Sequence, residues 1–230
     1  MLYIVGTPLG NLDDFSLRQA HLILTADILL TEDTRSTGML RKRLGKMCGF
    51  TYNPDQRLVS YYREREFEKL PQIIDYLNDG KMVVLISEAG MPLVSDPGHL
   101  LVAQMIKKGL HYHVVPGPTA LMTALIYSGF SKTGEFMFAG FLPKREGQYR
   151  KLLDGWKQHA KINPEMVFIV YESPHRIEST LKYFDHYAPT AQICLCREMT
   201  KKFEEITRGT ASELMGREYK GEISLVVKLS

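Results

Sequence analysis

The chain opens on an apolar run, Leu2–Val5, followed at once by Gly6-Thr7-Pro8-Leu9-Gly10-Asn11. Short runs rich in β-branched and aromatic residues return at Met82–Ile86, Tyr112–Val115, Phe136–Ala139, Met166–Tyr171, Gln192–Leu195 and Ile223–Leu229. Such runs, bounded by turn residues, predict buried strands. Between them apolar residues recur at helical spacing: Leu17, Ala20 and Leu24; Phe67, Leu70, Ile74 and Leu77; Ile177, Leu181 and Phe184. Each set predicts an amphipathic helix. Gly80 and Gly109 each follow a helical stretch and precede a strand, where a left-handed C-terminal cap belongs. Alternating strands and helices predict an α/β fold. The first half alternates more regularly, and the second is richer in strands and reads as mixed. The polar stretch Ser131–Gly134 suggests a boundary, with domains over residues 1–132 and 133–230.

Composition narrows the class. A chain of 230 residues with 44% hydrophobic and 24% charged residues can bury a core without disulfides. Its cysteines are Cys48, Cys194 and Cys196, with no C-x-x-C pair, which argues against a disulfide framework and a cysteine-based zinc site. Cys194 and Cys196 sit in the apolar run Gln192-Ile193-Cys194-Leu195-Cys196 and read as buried small hydrophobes. The chain shows neither a signal-peptide pattern at its start nor a run of ~20 apolar residues, so a cytoplasmic protein is expected. The histidines form no metal-binding pair, and no metal is expected. Net charge is only +3. The cations cluster, however: Arg41, Lys42, Arg43 and Lys46; Lys144, Arg145, Arg150 and Lys151; Lys201 and Lys202. Each cluster reads either as a solvated face or as a contact for nucleic-acid phosphates.

Three loops carry unusual chemistry, each after a predicted strand. The first is Gly6–Asn11, which is neither a G-x-G-x-x-G turn nor a Walker A loop. The second runs from Ser87-Glu88-Ala89-Gly90-Met91-Pro92 to Ser95-Asp96-Pro97-Gly98. Its end reads as a helix start, with Asp96 as cap and Pro97 in the first turn. The third is Pro116-Gly117-Pro118-Thr119-Ala120, leading into an apolar helix. In open α/β sheets ligands bind where strands end, and glycine lets backbone approach them closely. A fourth stretch, Thr31-Glu32-Asp33-Thr34-Arg35, follows the apolar Ala26–Leu30 run. Glu32 or Asp33 could accept a proton there and Arg35 hold a phosphate; a helix cap with a local ion pair is the alternative. Glu172-Ser173-Pro174-His175-Arg176 reads as a helix start that brings Glu172, His175 and Arg176 together, with His175 as a possible base.

Taken together, IVGTPLGNLDDFSLR, ILLTEDTR, GMPLVSDPG, VVPGPTALMTAL, FAGFLPK, VYESPHR, REMTKKFEEITRGT and GEISLVV resemble the small-subunit ribosomal RNA methyltransferases of the tetrapyrrole methylase superfamily. The match runs in order from Tyr3 to about Val227. It implies a two-domain α/β tetrapyrrole-methylase fold with a mostly parallel N-terminal sheet and a mixed C-terminal sheet. S-adenosylmethionine would occupy the interdomain cleft of a homodimeric enzyme. The substrate would be a cytidine ribose 2′-hydroxyl in the decoding region of small-subunit rRNA, free or in the assembled subunit. By the same resemblance Pro8, Leu9, Gly90, Met91, Leu93, Thr119, Ala120, Tyr171, Glu198 and Met199 would contact the cofactor. Asp33, Glu32, Arg35 and His175 are the catalytic candidates. Lys144, Arg145, Arg176, Lys201 and Lys202 are the candidates for RNA contact.

The chain departs from the family pattern at three places. Glu88-Ala89-Gly90-Met91-Pro92 stands where Asp-Ala-Gly-Thr-Pro is usual, and Tyr62-Arg63-Glu64-Arg65 replaces a stretch with His and Asn. A helical extension found in many members is not expected beyond Ser230. Two alternatives stay open: a methyltransferase of this fold with another substrate, and a non-catalytic cofactor- or RNA-binding homologue.

Overall fold

A computed structural model describes residues 1–229. It divides into two compact units, Met1–Thr119 and Ala120–Ser230.

The first unit holds β1 (Leu2–Val5), α1 (Leu17–Thr25), β2 (Ile28–Thr31), α2 (Thr34–Cys48), β3 (Arg57–Ser60), α3 (Glu66–Asn78), β4 (Val83–Leu85), α4 (His99–Lys107) and β5 (Tyr112–Val115). Its five strands lie in the order β3-β2-β4-β1-β5, and every pairing is parallel. Parallel neighbours need crossovers, and crossovers are right-handed. Connections running toward β3 (α1, α2) therefore lie on one face, and those running toward β5 (α3, α4) on the other. The two cores agree. Ala20, Ile23, Leu24 and Leu44 pack on Val5, Leu29, Val84 and Ile86. Ile73, Ile74, Leu101 and Met105 pack on Leu2, Ile28, Leu30, Val83 and Leu85. Alternate strand residues feed opposite cores, which explains the unbroken apolar runs.

The second unit holds α5 (Ala120–Ser128), β6 (Phe136–Phe141), α6 (Glu146–Ile162), β7 (Val167–Glu172), α7 (Ile177–Tyr187), β8 (Gln192–Arg197), β9 (Glu205–Gly209), α8 (Ala211–Leu214) and β10 (Ile223–Lys228). Its sheet, β6-β7-β10-β8-β9, is mixed: β6 and β7 are parallel, and the other pairs are antiparallel. One face carries Tyr149, Leu153, Trp156, Leu181 and Phe184 on Phe168, Val170, Ile193 and Leu225. The other carries Ala124 and Leu125 on Val167, Ile169, Cys194, Cys196 and Val226. Cys194 and Cys196 are fully buried, as the apolar run predicts.

Several sequence expectations shift. Because α5 packs on the second sheet, the stretch Ser131–Gly134 lies inside the second unit rather than between the two. Leu17 and Phe67 do not join the buried helix faces; they are 67% and 81% exposed in the first turns of α1 and α3. Helix α7 begins at Ile177, after a turn through Ser173 and Pro174. Gly80 and Gly109 take the left-handed conformation expected of helix ends. Among the described residues no helix is long and apolar enough to cross a membrane.

Candidate functional site

In a wholly parallel sheet all strand C-termini point to one edge, and the loops that follow them meet there. In the first unit those loops are tied together by backbone. Thr7 and Gly90 form an antiparallel bridge: the Thr7 N–H donates to the Gly90 carbonyl at 2.8 Å, and the Gly90 N–H returns to Thr7 at 3.1 Å. The Thr7 hydroxyl donates to the Ser87 carbonyl at 3.2 Å. Gly6 donates to the Val115 carbonyl at 3.1 Å. The buried Gln19 amide donates to the carbonyls of Gly6 at 3.0 Å and Pro116 at 3.1 Å. Gln19 is itself fixed by a reciprocal capping box with Ser16 at the start of α1. One side chain thus holds the loops after β1 and β5 in register.

The glycines follow from this closeness. A Cβ on Gly6 would lie 2.8 Å from the Gly117 Cα, and one on Gly117 would lie 2.9 Å from the Gly6 Cα. Gly90 has φ +82°, a conformation open to glycine at no steric cost. A side chain there would reach Leu9 at 3.5 Å and the Pro118 carbonyl at 3.6 Å. Further along the same loop Leu93 and Ser95 also have positive φ, 69° and 73°. Left-handed backbone at non-glycine residues costs on the order of 1–3 kcal/mol each, and such residues cluster at ligand sites.

Beside this cradle stands a group of carboxyls. Glu32 follows β2, while Glu88 and Asp96 lie on the loop after β4. Burial, followed by the charges of Glu32 and Glu88, pushes Asp96 up to about 7, against a hydrogen bond with Ser87 and the charge of Arg63. Glu32 is raised as well, first by burial and next by Glu88, although it accepts a hydrogen bond from the Glu88 backbone. Arg63, from the segment after β3, donates to the Ser95 carbonyl at 3.4 Å and supplies the compensating positive charge. Among the described residues no group of three or more His, Cys, Asp or Glu side chains is placed to hold a metal ion.

The sequence reading of Asp96 as a helix cap is overturned. Helix α4 starts at His99 with Gly98 as its cap residue, and the capping carboxylate comes from α3. Buried Glu66 accepts from the N–H groups of Gly98 at 2.8 Å and Leu100 at 3.2 Å. Asp96 is thereby released to join Glu32 and Glu88. Asp33, in contrast, is the cap of α2: its carboxylate accepts from the Arg35 N–H at 2.7 Å, and both residues are exposed. Met91 lies against Gly6 and Leu9 against Gly90 at the bridged loops, Pro8 follows Thr7, and Leu93 lies against Gly98 and packs on the core that holds Leu85 and Leu101. Thr119 ends the first unit. Sequence reasoning missed Asp96, Glu88, Thr7, Ser87 and Gln19. The glycine and proline positions marked the loops that hold Thr7, Ser87, Glu88 and Asp96 but gave none of these residues a role, and the Ser16-x-x-Gln19 spacing signals a capping box rather than a tie between loops.

The remaining predicted residues lie in the second unit. Ala120 is the first residue of α5, and Met199 is buried against that helix and the sheet. Tyr171, on β7, meets Phe138 and Phe141 edge-on at 4.9 and 5.8 Å. Glu198 has φ 50° and accepts from the Glu222 N–H at 2.9 Å and from Lys201 at 3.0 Å. Lys201 also pairs with Glu222 at 2.8 Å, so internal carboxylates engage it. Arg176 is likewise engaged: it pairs with buried Glu172 at 3.3 Å and donates to the Leu142 carbonyl at 2.7 Å. Glu172 accepts from Thr180 at 2.7 Å and the Ser173 N–H at 2.8 Å. The predicted Glu172–Arg176 meeting is real, and it clamps the turn after β6. His175 is exposed on the turn before α7, and Lys144, Arg145 and Lys202 are exposed.

A family model described as tetrapyrrole (corrin/porphyrin) methylases matches residues 1–215. The chain is 38% identical to ribosomal RNA small subunit methyltransferase I of Halalkalibacterium halodurans, over 99% of this chain and 75% of that protein. It is 36% identical to the protein of the same name from Thermotoga maritima, over 98% of this chain and 97% of that one. Among solved structures, uroporphyrin-III C-methyltransferase from Thermus thermophilus superposes with a TM-score of 0.64 at 18% identity, covering 98% of this chain and 93% of that one. Cobalt precorrin-4 methyltransferase gives 0.63 at 18% identity, with the same coverage. At that identity the structural likeness concerns the fold alone.

Proposed function

The chain belongs to the tetrapyrrole methylase family, and from that premise we propose that it methylates small-subunit ribosomal RNA at the ribose 2′-hydroxyl of a cytidine in the decoding region. The family's cofactor is S-adenosylmethionine, which supplies a methyl group on a positively charged sulfur. The loops fit such a group. Gly6 and Gly117 lack the Cβ that would collide between the loops after β1 and β5, and Gly90 takes a positive φ open to glycine at no steric cost. In this reading Pro8, Leu9, Gly90, Met91 and Leu93 hold the cofactor by backbone and apolar contact.

The observation that carries the reading is the placement of Asp96, Glu32 and Glu88 on the same strand edge as the glycine loops, where burial raises the Asp96 carboxyl. A ribose hydroxyl is a weak nucleophile until its proton is drawn away. The carboxylate of Asp96 accepts that proton from O2′. Burial, and after it the charges of Glu32 and Glu88, keep the Asp96 carboxyl basic, and Arg63 offsets that charge in part. The role goes to Asp96 rather than to Asp33, whose Oδ1 serves the α2 cap, or to the exposed His175. Exposed Arg35, Lys144, Arg145 and Lys202 are the proposed phosphate contacts. The same reading makes the protein a cytoplasmic homodimer that meets small-subunit rRNA, free or in the assembled subunit.

The test is a partition of label. Purified protein is incubated with methyl-labelled S-adenosylmethionine and, separately, with small subunits, protein-free small-subunit rRNA and uroporphyrinogen III. Label in RNA of either form supports the proposal. Label in the tetrapyrrole, or cofactor binding with no transfer to any of the three, refutes it.

A further inference from the structure

We propose that the outward face of helix α2 is a docking surface for the phosphate backbone of RNA. The inference rests on the methyltransferase reading and extends it from Arg35 along the rest of that helix. Helix α2 carries Arg35, Arg41, Lys42, Arg43 and Lys46 and not one acidic residue. Its buried side is Thr37 and Leu44. At 100° per residue the opposite side is a line through Arg35, Met39, Lys42 and Lys46, with Arg43 next to it. All five are exposed, Met39 by 60%. Arg41 differs: it lies over the Tyr52 ring at 4.9 Å.

Apart from Lys46 in the last turn, where a cation suits the helix dipole, the pattern does not serve the helix. Like charges three and four residues apart, such as Arg43 with Lys46 and Lys42 with Lys46, each destabilise a helix by about 0.2–0.5 kcal/mol. Other exposed helices of this chain place a carboxylate at that spacing. Arg150 faces Asp154 on α6, and Lys182 faces Glu178 on α7. Among the described residues Arg35, Lys42, Arg43 and Lys46 are held in no ion pair. Three uncompensated cations on one line, with Arg43 beside them, suit an anionic partner, and a nucleic-acid backbone is a row of such charges.

Position supports the same partner. The helix begins two residues after Glu32, at the strand edge that holds the carboxyl group and the glycine loops. From Arg35 to Lys46 the stripe covers about 16 Å along the axis, at about 1.5 Å per residue. A strand whose ribose enters at the carboxyls can therefore continue along α2 with its phosphates against these side chains.

The experiment compares wild type with Lys42→Gln/Lys46→Gln and with Lys42→Arg/Lys46→Arg. Lys107→Gln/Lys108→Gln, on the exposed end of α4, serves as a charge-matched control. Binding to poly(uridylic acid) and to purified small subunits is measured across a salt series, with cofactor affinity measured in parallel by calorimetry. Each lost phosphate contact lowers the log–log salt slope by about 0.7–0.9, so the glutamine pair should lower it by roughly 1.4–1.8. Cofactor affinity stays unchanged, the arginine pair keeps the wild-type slope, and the control pair does not alter it. A wild-type slope in the glutamine pair overturns the proposal. So does loss of binding to phosphatidylserine vesicles with RNA binding intact, which would assign the face to a membrane. If wild type transfers no methyl group to RNA yet the glutamine pair still loses RNA affinity, the catalytic reading falls and the docking surface stands.

Discussion

Asp96 occupies a sequence context, Ser-Asp-Pro-Gly, that fits a helix start, and local chemistry alone assigns it there. A distant residue changes the outcome. Glu66 arrives from α3 and takes the two N–H groups at the start of α4. Nothing within a few residues of Asp96 announces that, so the carboxyl group was not legible, whereas Glu32 beside it was. Two predictions follow from the Asp96 carboxyl lying near 7. Methyl transfer should rise as pH increases through about 7, as the carboxylate forms, and Asp96→Asn should abolish that rise and lower the rate by about 10²–10⁴-fold. Single-turnover rates between pH 5.5 and 8.5 check this; a profile unchanged by the substitution contradicts it. The second concerns stability. Folding raises this carboxyl above its ordinary 3.8, so the folded state favours the proton. That contribution is complete below the ordinary value and is lost as pH climbs through about 7. Asp96→Asn should therefore gain on wild type between pH 5 and pH 8, by on the order of 1 kcal/mol after allowance for partial exposure. Urea denaturation at the two pH values reads the difference.

Among the elements, those defined by their own pattern were legible. Strands β1, β4, β5, β7, β8 and β10 are the apolar runs, and α7 shows its buried Ile177, Leu181 and Phe184. Strands β3 and β9 are half-exposed and carry polar and charged residues, so no run marks them. Helix α6, whose buried residues are Tyr149, Leu153 and Trp156, is otherwise dominated by polar positions. Phe67 shows the opposite failure, an apolar residue at the right spacing left in water because it stands in the first turn. The loops could be located from glycine and proline, but the bonds joining them could not. Gln19 provides the sharpest test of those bonds. Gln19→Ala strands the Gly6 and Pro116 carbonyls and should cost about 1–3 kcal/mol. It should also weaken cofactor binding, because the loops after β1 and β5 lose their shared donor. Gly117→Ala should weaken that binding at least as much, since its new Cβ meets Gly6 backbone at 2.9 Å. Calorimetry on both variants decides; cofactor affinity equal to wild type in both would remove the cradle from the account.

At the scale of the molecule, each unit closes its own cores, and the only tryptophan, Trp156, stacks on Phe168 at 4.5 Å in the second. Tryptophan fluorescence therefore reports the second unit, while far-ultraviolet circular dichroism reports both. Gln19→Ala should lower the urea midpoint by dichroism more than by fluorescence; equal shifts would mean that the two units unfold as one. Strand alternation and the resemblance of ordered motifs made the α/β class and the mixed second sheet legible. The unit boundary was less so, because α5 is apolar on most of its surface and its sequence does not say which sheet it covers. The claim on which the functional account turns is methylation of one ribose. Small subunits from a strain lacking the gene are incubated with the protein and S-adenosylmethionine, and the rRNA is digested and analysed by tandem mass spectrometry. The account predicts one new methyl group, on the sugar of a cytidine in the decoding region. A methyl group on a base, or small-subunit RNA that gains none, would contradict it.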